Sequence, residues 1–360
     1  MSTTIMDQLV LSSGDFSTID CNVHVYPEKE DELVEYLPDR YRANGISYPD
    51  GNWPRPTDRF RHDIDTEASP PRSGPGILAE EHLNPLGIDH AVLTGGEANL
   101  RAATQPDRRY AAALTSAHND WLIENWLAAD DRLYGSVSVA PIGPEAAAEE
   151  IYRVGDHPDI VQVIMGSATQ ISLGQERYWP MYAAAEEADL PVAIHAGGEG
   201  YGVANPNTGA GYPSTFLERT SVTPANFMGQ LLNLVLEGVF VEFPDLRIIM
   251  IGGGYSWIPS FLWRIDKAWK GLTDDFPWIK RPPSEYVREQ MRFASYPLDE
   301  PDDPEYLEGM LEMMHAEETL LFGSNYPRRE SYVPGMDLPN LDPSFARAIF
   351  SETATELYDL

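Results

Sequence analysis

Two histidines and two asparagines lie where predicted β-strands end, and these residues are well placed to do chemistry. Asn22 and His24 end the first predicted strand, His195 ends the fifth, and Asn325 follows the eighth. Side chains two residues apart on a strand point to the same face, so we expect Asn22 and His24 to act together. Imidazoles bind zinc or manganese and transfer protons, which makes both histidines candidate metal ligands and His195 a candidate acid–base. The alternative is that each histidine is a buried structural residue.

The two asparagines are unusual because the chemistry around them favours aspartate. A carboxylate brings negative charge and a strong oxygen donor to a divalent cation, whereas an amide oxygen is neutral and binds more weakly. An amide also cannot exchange a proton with a reacting group. We therefore expect Asn325 to occupy a catalytic position without an acid–base role, Asn22 to contact the substrate, and any metal at His24 and His195 to be held weakly.

Three other residues near these strand ends are candidates for catalysis or substrate binding. Glu199 follows His195 on a glycine-rich loop and is either a replacement ligand or base, or a solvated loop acid. Arg328 lies three residues after Asn325, and its guanidinium either binds a substrate carboxylate or forms a salt bridge with one of the many acids. Tyr296 follows the seventh predicted strand and either donates to an anion or packs as an aromatic residue.

Short β-branched segments alternate with longer amphipathic ones along the chain, which is typical of βα units. The predicted strands are 18–25, 89–94, 133–140, 160–165, 191–196, 247–251, 291–295 and 319–324. Helices are predicted at 144–154, 176–188, 224–240, 255–270, 304–315 and 343–357. Eight parallel strands with intervening helices predict an α/β (β/α)8 barrel, in which the C-terminal strand ends meet at one site. No GxGxxG follows the first strand to favour a dinucleotide-binding fold.

One long segment, residues 46–76, departs from this pattern. It is rich in Pro, Gly, Arg and Asp, and it follows the first strand, so it leaves from the face where the site is expected. Segments of this length without regular structure usually cover a functional site or are disordered. We predict one domain over residues 1–360 with residues 46–76 as a lid; the alternative is a surface loop without such a role.

Several stretches of the sequence together resemble the metal-dependent amidohydrolase superfamily, in particular its amidohydrolase-2 branch. That branch includes aromatic-acid decarboxylases of the aminocarboxymuconate-semialdehyde type and various hydrolases. The stretches that carry the resemblance run nearly end to end, at 19–24, 178–180, 190–198, 237–263, 281–286 and 321–327. The resemblance implies a TIM barrel, a small carboxylated or cyclic substrate, and a homodimer.

The resemblance also implies which residues stand at the family's metal site. In that family a metal such as zinc lies between an acid-or-His-x-His pair on the first strand, a His on the fifth and an Asp on the eighth. These positions fall on Asn22, His24, His195 and Asn325. A catalytic His or Glu that often ends the sixth strand is Gly252 here, and a His that often follows the eighth-strand motif is Arg328. Both histidine ligands are kept, and both carboxylate ligands are replaced.

The composition limits the possible partners. Asp+Glu 57 against Lys+Arg 25 gives a net charge of −32, which argues against the clustered basic surface that nucleic acid requires. Lysine is rare, and an acidic, lysine-poor surface is typical of proteins from a halophilic cytoplasm; the alternative is an ordinary acidic enzyme. Cys21 is the single cysteine, so no disulfide is expected. The N-terminus lacks a signal-peptide pattern, and no apolar run is long enough to span a membrane, so we expect a cytoplasmic protein.

Two classes of function fit these observations. The first is a hydrolase or decarboxylase that acts on a small carboxylated or cyclic substrate, with His195 as acid–base, Arg328 as anion clamp and a weakened metal site. The second is a non-catalytic relative that binds a ligand or a partner after losing its metal.

Overall fold

A computed structural model describes residues 16–29, 31–49, 73–299, 301, 303–328 and 341–360. Within them, eight parallel strands follow one another in chain order around one sheet. Their bounds are β1 Ile19–Val23, β2 His90–Leu93, β3 Leu133–Ser138, β4 Ile160–Gly166, β5 Val192–His195, β6 Ile248–Ile251, β7 Met291–Ala294 and β8 Leu320–Leu321. Backbone hydrogen bonds from Cys21 N to Phe322 O and from His24 N to Tyr326 O join β1 to the segment after β8. They close the sheet, which confirms the predicted (β/α)8 barrel.

Helices pack around the outside of the barrel. The longer ones are Arg108–Leu122, Pro144–Val154, Trp179–Glu187, Phe216–Leu236, Ile258–Gly271, Pro283–Gln290 and Pro304–Met313, and the chain ends with Pro343–Arg347, Ala348–Glu352 and Thr353–Tyr358 in succession. Shorter helical segments are Glu32–Tyr36, Asp39–Arg42, Pro75–Leu78, Ala79–Leu83, Asn84–Leu86, Glu97–Ala102, Ile123–Leu127, Glu176–Tyr178, Val239–Glu242, Thr273–Asp275 and Ala316–Thr319. In the described part of the chain, no helix has the length and apolar character needed to cross a bilayer.

The helix after β5 begins earlier than the sequence pattern predicts. We expected it to start at Pro224, but it starts at Phe216 and carries Pro224 in its interior. Thr215 accepts a hydrogen bond from Glu218 N at 3.1 Å, and the Glu218 carboxylate accepts one from Ser214 N at 2.7 Å. These reciprocal contacts resemble a capping box, which fixes the start of a helix more strongly than a proline does.

Apolar side chains fill the barrel interior and attach the last helix to it. The interior cluster comprises Ile19, Cys21, Val92, Leu100, Val161, Ile164, Ala193, Ile249, Ile251, Ala294 and Leu321, together with Ala354 and Tyr358. The Tyr358 hydroxyl donates to Gln162 Oε1 at 2.9 Å, so this polar group is satisfied in the interior. The packed interior leaves the C-terminal strand ends as the place for a site.

Most of the predicted lid, residues 50–72, lies outside the described residues. Its beginning packs near the end of the Glu97–Ala102 helix, which follows β2. Arg101 Nη2 donates to Pro49 O at 2.5 Å, and Gln105 Nε2 donates to Ser47 O at 2.6 Å. The segment therefore starts on the face where the strands end, and its role as a lid stays a prediction.

Candidate functional site

Four side chains from three strand ends converge on one point, and we call them the tetrad: Asn22, His24, His195 and Asn325. His24 Nε2 lies 3.0 Å from Asn325 Oδ1, and His195 Nε2 lies 3.2 Å from Asn22 Oδ1. The two imidazole rings meet edge to face with their centroids 4.9 Å apart. All four residues are buried. Residues up to 303 positions apart in the chain are thus brought into one cluster.

The backbone at the ends of β1 and β8 is shaped to hold the two asparagines side by side. The register of β1 against β2 shifts between Asp20 and Val23. Asn325 has a left-handed backbone (φ 62), which asparagine tolerates better than most residues, and its N–H donates to Asn22 O at 3.0 Å. A Cβ on Gly323 would lie 3.0 Å from Asn22 Cβ, so glycine permits this close approach.

Backbone carbonyls fix the tautomer of both histidines. Nδ1 of His24 donates to Gly95 O at 2.7 Å, and Nδ1 of His195 donates to Ala196 O at 2.8 Å. Each neutral ring then carries a lone pair on Nε2. In each histidine–asparagine contact this lone pair faces an amide oxygen, which is also a hydrogen-bond acceptor. Two acceptor atoms therefore face each other in both contacts.

Both imidazoles are neutral at ordinary pH. Burial is the main reason that the pKa of His24 lies well below its usual value, and the nearby His195 and Arg328 lower it further. Burial also lowers the pKa of His195 to about 4, with Arg328 and Arg219 acting in the same direction. The tetrad therefore presents four neutral groups, and within it the Asn22 amide donates from Nδ2 to Asn325 Oδ1 at 3.5 Å.

Within each of the two contacts, the nitrogen and oxygen atoms have the type and spacing of neighbouring ligands of a divalent cation. Ligands bonded at about 2.1 Å and roughly 90° apart lie about 3 Å from each other, as the facing nitrogen and oxygen atoms do here. A cation between them would also relieve the opposed lone pairs. Rotating both amides by half a turn would relieve them without a cation, because the amide nitrogens would then donate to the imidazoles. Asn22 Oδ1 also accepts from the Thr94 hydroxyl at 3.2 Å, and this contact holds the oxygen towards His195 without a cation.

What the tetrad lacks is negative charge. Among the described residues, no group of three or more His, Cys, Asp or Glu is placed to hold a metal ion. The carboxylates that the family resemblance leads us to expect in place of Asn22 and Asn325 would have supplied that charge. The donors therefore fit the ion, but they do not neutralise it.

A buried acid–histidine pair lies behind the tetrad and was missed by sequence reasoning. His82 Nε2 lies 2.8 Å from Asp20 Oδ2, and both side chains are fully buried. Asp20 Oδ1 accepts the backbone N–H of Asn22 at 3.1 Å and that of Ser324 at 2.9 Å. The pair thus links β1 to the segment after β8, through the N–H of Asn22 and the N–H of the residue before Asn325. Strand periodicity would place Asp20 on the same face as Asn22, and the register shift of β1 separates them.

Glu199 is buried and engaged by several donors. Its Oε1 accepts from Gly197 N at 3.0 Å and, in a short hydrogen bond, from the Ser167 hydroxyl. Its Oε2 pairs with Arg219 Nη2 at 3.1 Å. The reading of Glu199 as a solvated loop acid does not fit these contacts. It acts on His195 through its charge, which raises the pKa of that ring.

Arg328 and Tyr296 lie at the ends of β8 and β7, as their sequence positions imply. Arg328 is half-buried, its guanidinium lies over the Tyr26 ring at 5.6 Å, and its charge lowers the pKa of both tetrad histidines. Tyr296 is half-buried and precedes a cis peptide bond to Pro297. Thr94, at the end of β2, donates to Asn22 Oδ1 at 3.2 Å and is a further site residue that the sequence analysis did not single out.

The end of β6 has no place for the accessory side chain that the family resemblance led us to look for. Gly252 has a left-handed backbone (φ 85), and a Cβ there would lie 2.9 Å from Ala196 Cβ. A residue with a side chain would be strained at this position. Gly252 therefore allows the end of β6 to pack closely against Ala196, the residue after His195.

A cavity of about 510 Å³ lies beside the tetrad, between the loops after β4 and β5 and the Phe216–Leu236 helix. Glu199 lines it, and so do the neutral amides of Asn205, Asn207, Asn226 and Gln230. The tetrad side chains do not line it. This volume suits a small organic ligand, and the shared Glu199 connects it to the surroundings of His195.

Comparison with known proteins places these observations in a family. A family model described as Amidohydrolase (Amidohydro_2) matches residues 19–360. A gamma-resorcylate decarboxylase of Rhodococcus jostii is 29% identical over 199 residues, which span 49% of this chain and 56% of that enzyme. The chain thus matches little more than half the length of that relative.

Two solved structures show the shared fold. An amidohydrolase of Mycobacterium avium subsp. paratuberculosis superposes with a TM-score of 0.73 at 19% identity, covering 96% of this chain and 99% of that one. A 5-carboxyvanillate decarboxylase of Novosphingobium aromaticivorans, solved with manganese and 4-hydroxy-3-methoxy-5-nitrobenzoic acid, gives 0.71 at 19% identity, with coverages of 96% and 97%.

Proposed function

The chain belongs to the amidohydrolase family, and from that premise we propose that it is a carboxy-lyase that removes CO2 from a small hydroxylated aromatic carboxylate. The observation that carries the proposal is the tetrad, in which each histidine Nε2 faces an amide oxygen, at 3.0 and 3.2 Å, with the Arg328 guanidinium over the ring of Tyr26, two residues after His24. Similarity to gamma-resorcylate decarboxylase supports the reaction class.

Each residue near the tetrad has a part in this proposal. His24 and His195, through Nε2, and Asn22 and Asn325, through Oδ1, would hold a divalent cation such as manganese or zinc. When bound, the cation supplies Lewis acidity towards the oxygens of the substrate. Arg328 binds and orients the substrate carboxylate through its guanidinium.

The reaction breaks the bond between the ring and the carboxylate, leaves the electron pair on the ring carbon and needs one proton there. Neither asparagine of the tetrad can carry that proton. Both imidazoles use their N–H to bond backbone carbonyls, and Glu199 is paired with Arg219. Of these described residues, none is left to carry the proton, so we assign it to solvent, which implies slow turnover compared with a site that has its own acid.

The test is turnover of a hydroxybenzoate panel that includes 2,6-dihydroxybenzoate, with Mn2+ present and with release of CO2 and the decarboxylated ring measured. Arg328→Gln removes a charged hydrogen-bond donor and should lower kcat/KM roughly 10- to 100-fold, mainly through KM. Arg288→Gln is the matched control, because Arg288 pairs with Glu318 on the exposed surface. Equal activity of wild type and Arg328→Gln would contradict the assigned role of Arg328.

A second candidate function is a ligand-binding protein without turnover, and the same lack of a proton donor in the tetrad favours it. In that case hydroxybenzoates would bind, Arg328→Gln would weaken binding, and no CO2 would be released by wild type at any Mn2+ concentration. Product analysis therefore separates the two functions directly.

A further inference from the structure

The cavity beside the tetrad is rich in uncharged polar side chains. It has a volume of about 510 Å³, and its walls come from the loops after β4 and β5 and from the Phe216–Leu236 helix. The carboxamide side chains that line it are Gln170, Asn205, Asn207, Asn226 and Gln230. A carboxamide both donates and accepts hydrogen bonds, so this lining matches a ligand whose own groups do both.

One side of the Phe216–Leu236 helix forms a wall of the cavity. Asn226 and Gln230 both line it, and residues four apart in a helix lie on the same side. Gln230 is buried, and its Nε2 donates to Ser167 O and to Thr169 Oγ1, each at 3.2 Å. These contacts attach the helix to the segment that follows β4, so the cavity wall is fixed by the fold.

Asn207, which also lines the cavity, carries an acceptor atom that lacks a donor. The residue is 3% exposed, and in the described part of the chain its Oδ1 has no hydrogen-bond partner. Its Nδ2 donates to Thr223 Oγ1 at 3.1 Å. The Thr223 hydroxyl uses its single hydrogen to donate to Arg219 O at 2.9 Å, so it accepts from Asn207. These contacts set the orientation of the amide and leave Oδ1 unsatisfied, which is unfavourable for a buried polar atom.

Charge narrows the class of ligand. Of the described residues that line the cavity, Glu199 alone is ionisable, and its Oε2 pairs with Arg219 Nη2 at 3.1 Å. A ligand carboxylate only accepts hydrogen bonds, so it would give Asn207 Oδ1 no donor. The net charge of −32 also disfavours an anion. A hydroxyl group, in contrast, can donate to an amide oxygen and accept from an amide nitrogen.

We propose that this cavity is a second ligand site, which binds a small neutral molecule with several hydroxyl groups, such as a polyol or a sugar. A ligand hydroxyl would give Asn207 Oδ1 the donor that it lacks. The cavity volume lies within the range usual for small-molecule sites. The tetrad side chains do not line the cavity, so the second site is independent of the reaction proposed for the tetrad.

The test is saturation-transfer NMR on the full chain with glycerol, erythritol, glucose and trehalose as probes. We expect at least one of these four compounds to receive saturation from the protein, and titration of its signal gives a dissociation constant. Gluconate is the charged comparison, because it is a hydroxylated chain that ends in a carboxylate. We expect gluconate to bind more weakly than glucose.

Gly229→Phe is the variant that blocks the cavity. Gly229 lines the cavity, and among the described residues a Cβ there would meet no heavy atom within 4 Å apart from its own helix. A phenylalanine side chain therefore has room at this wall, and it should weaken binding of the probe about tenfold or more. Gly309→Phe is the matched control, since Gly309 lies inside the Pro304–Met313 helix with the same free space and does not line the cavity. It should leave the dissociation constant unchanged.

Two further variants locate the ligand. Asn207→Leu removes the unsatisfied acceptor and should weaken binding roughly 2- to 10-fold, as expected for the loss of one hydrogen bond. His24→Ala changes the tetrad and should leave probe binding unchanged. If Asn207→Leu does not fold, the comparison of the two glycine variants decides alone.

Three results would overturn the proposal: no saturation of any of the four neutral probes, equal binding by Gly229→Phe and Gly309→Phe, or gluconate binding as tightly as glucose. Loss of probe binding in His24→Ala would place the ligand at the tetrad and would also contradict a second site. None of these measurements depends on CO2 release. The lyase function and the second site can therefore fail separately.

Discussion

Asn22 and Asn325 place neutral amides where the family resemblance leads us to expect carboxylate ligands of a metal. Their amide oxygens lie 3.2 and 3.0 Å from the two imidazole nitrogens, at distances usual for neighbouring ligands of one ion. What an amide cannot supply is a negative charge or a proton. The negative charge and the proton are both missing from the same pocket. We therefore expect metal binding and proton transfer to be affected together.

At the residue scale, we predict that Asn325→Asp increases turnover. The new carboxyl group would stand at the end of β8 and could pass a proton to the reacting carbon, a contribution typically worth about 10²- to 10⁴-fold. The measurement is kcat for hydroxybenzoate decarboxylation with saturating Mn2+ across pH, where the added activity should follow one new ionisation.

Asn325→Ala is the control for that experiment, because it removes the amide oxygen and adds no acid. It should not gain activity. If Asn325→Asp binds Mn2+ more tightly and kcat stays at the wild-type value, proton supply does not limit the reaction, and the assignment of the proton to solvent is wrong.

At the scale of elements, the decisive feature is the junction between β1 and the segment after β8. Asp20 Oδ1 accepts hydrogen bonds from the backbone N–H groups of Asn22 and Ser324, and Asp20 Oδ2 contacts His82 Nε2. The His82 ring also stacks on Tyr326 with centroids 4.4 Å apart. This arrangement closes the barrel and sets the positions of both tetrad asparagines.

Asp20→Asn should destabilise the protein, because it replaces the carboxylate that contacts buried His82 and accepts two backbone N–H groups. Leaving a buried polar group without its hydrogen-bond partner costs about 1 to 3 kcal/mol of unfolding free energy. Asp130→Asn is the matched control, since Asp130 pairs with Arg132 near the surface and such pairs contribute roughly 0 to 1 kcal/mol. Chemical unfolding measures both. Equal losses of unfolding free energy in the two variants would show that the Asp20–His82 pair stabilises the junction no more than a surface pair would.

At the scale of the whole molecule, the net charge of −32 remains the dominant property. We predict that the melting temperature rises as KCl increases from about 0.1 M to about 1 M, because the Debye length falls from about 10 Å to about 3 Å and screens the mutual repulsion of the acids. Sucrose serves as the control, since it favours the compact state without screening charge. A melting temperature indifferent to KCl would count against the halophilic interpretation.

The sequence pattern predicted much of the fold. All eight strands were located, because short β-branched segments bounded by polar residues are strong local signals. The start of the Phe216–Leu236 helix was misplaced, since a proline within it resembled a first-turn residue. The lid predicted at 46–76 falls largely outside the described residues and stays a prediction.

By itself the sequence determined the barrel, the positions of the strand ends, and the identity of Asn22, His24, His195 and Asn325 as the residues at issue. These are properties of residue type and spacing along single strands. Only the tertiary structure decided that the four meet, that both imidazole lone pairs face amide oxygens, and that Asp20 and Glu199 are occupied by His82 and Arg219. Such pairings depend on how strands align across the barrel, and a shift of one residue in β1 reverses which side chain faces the site.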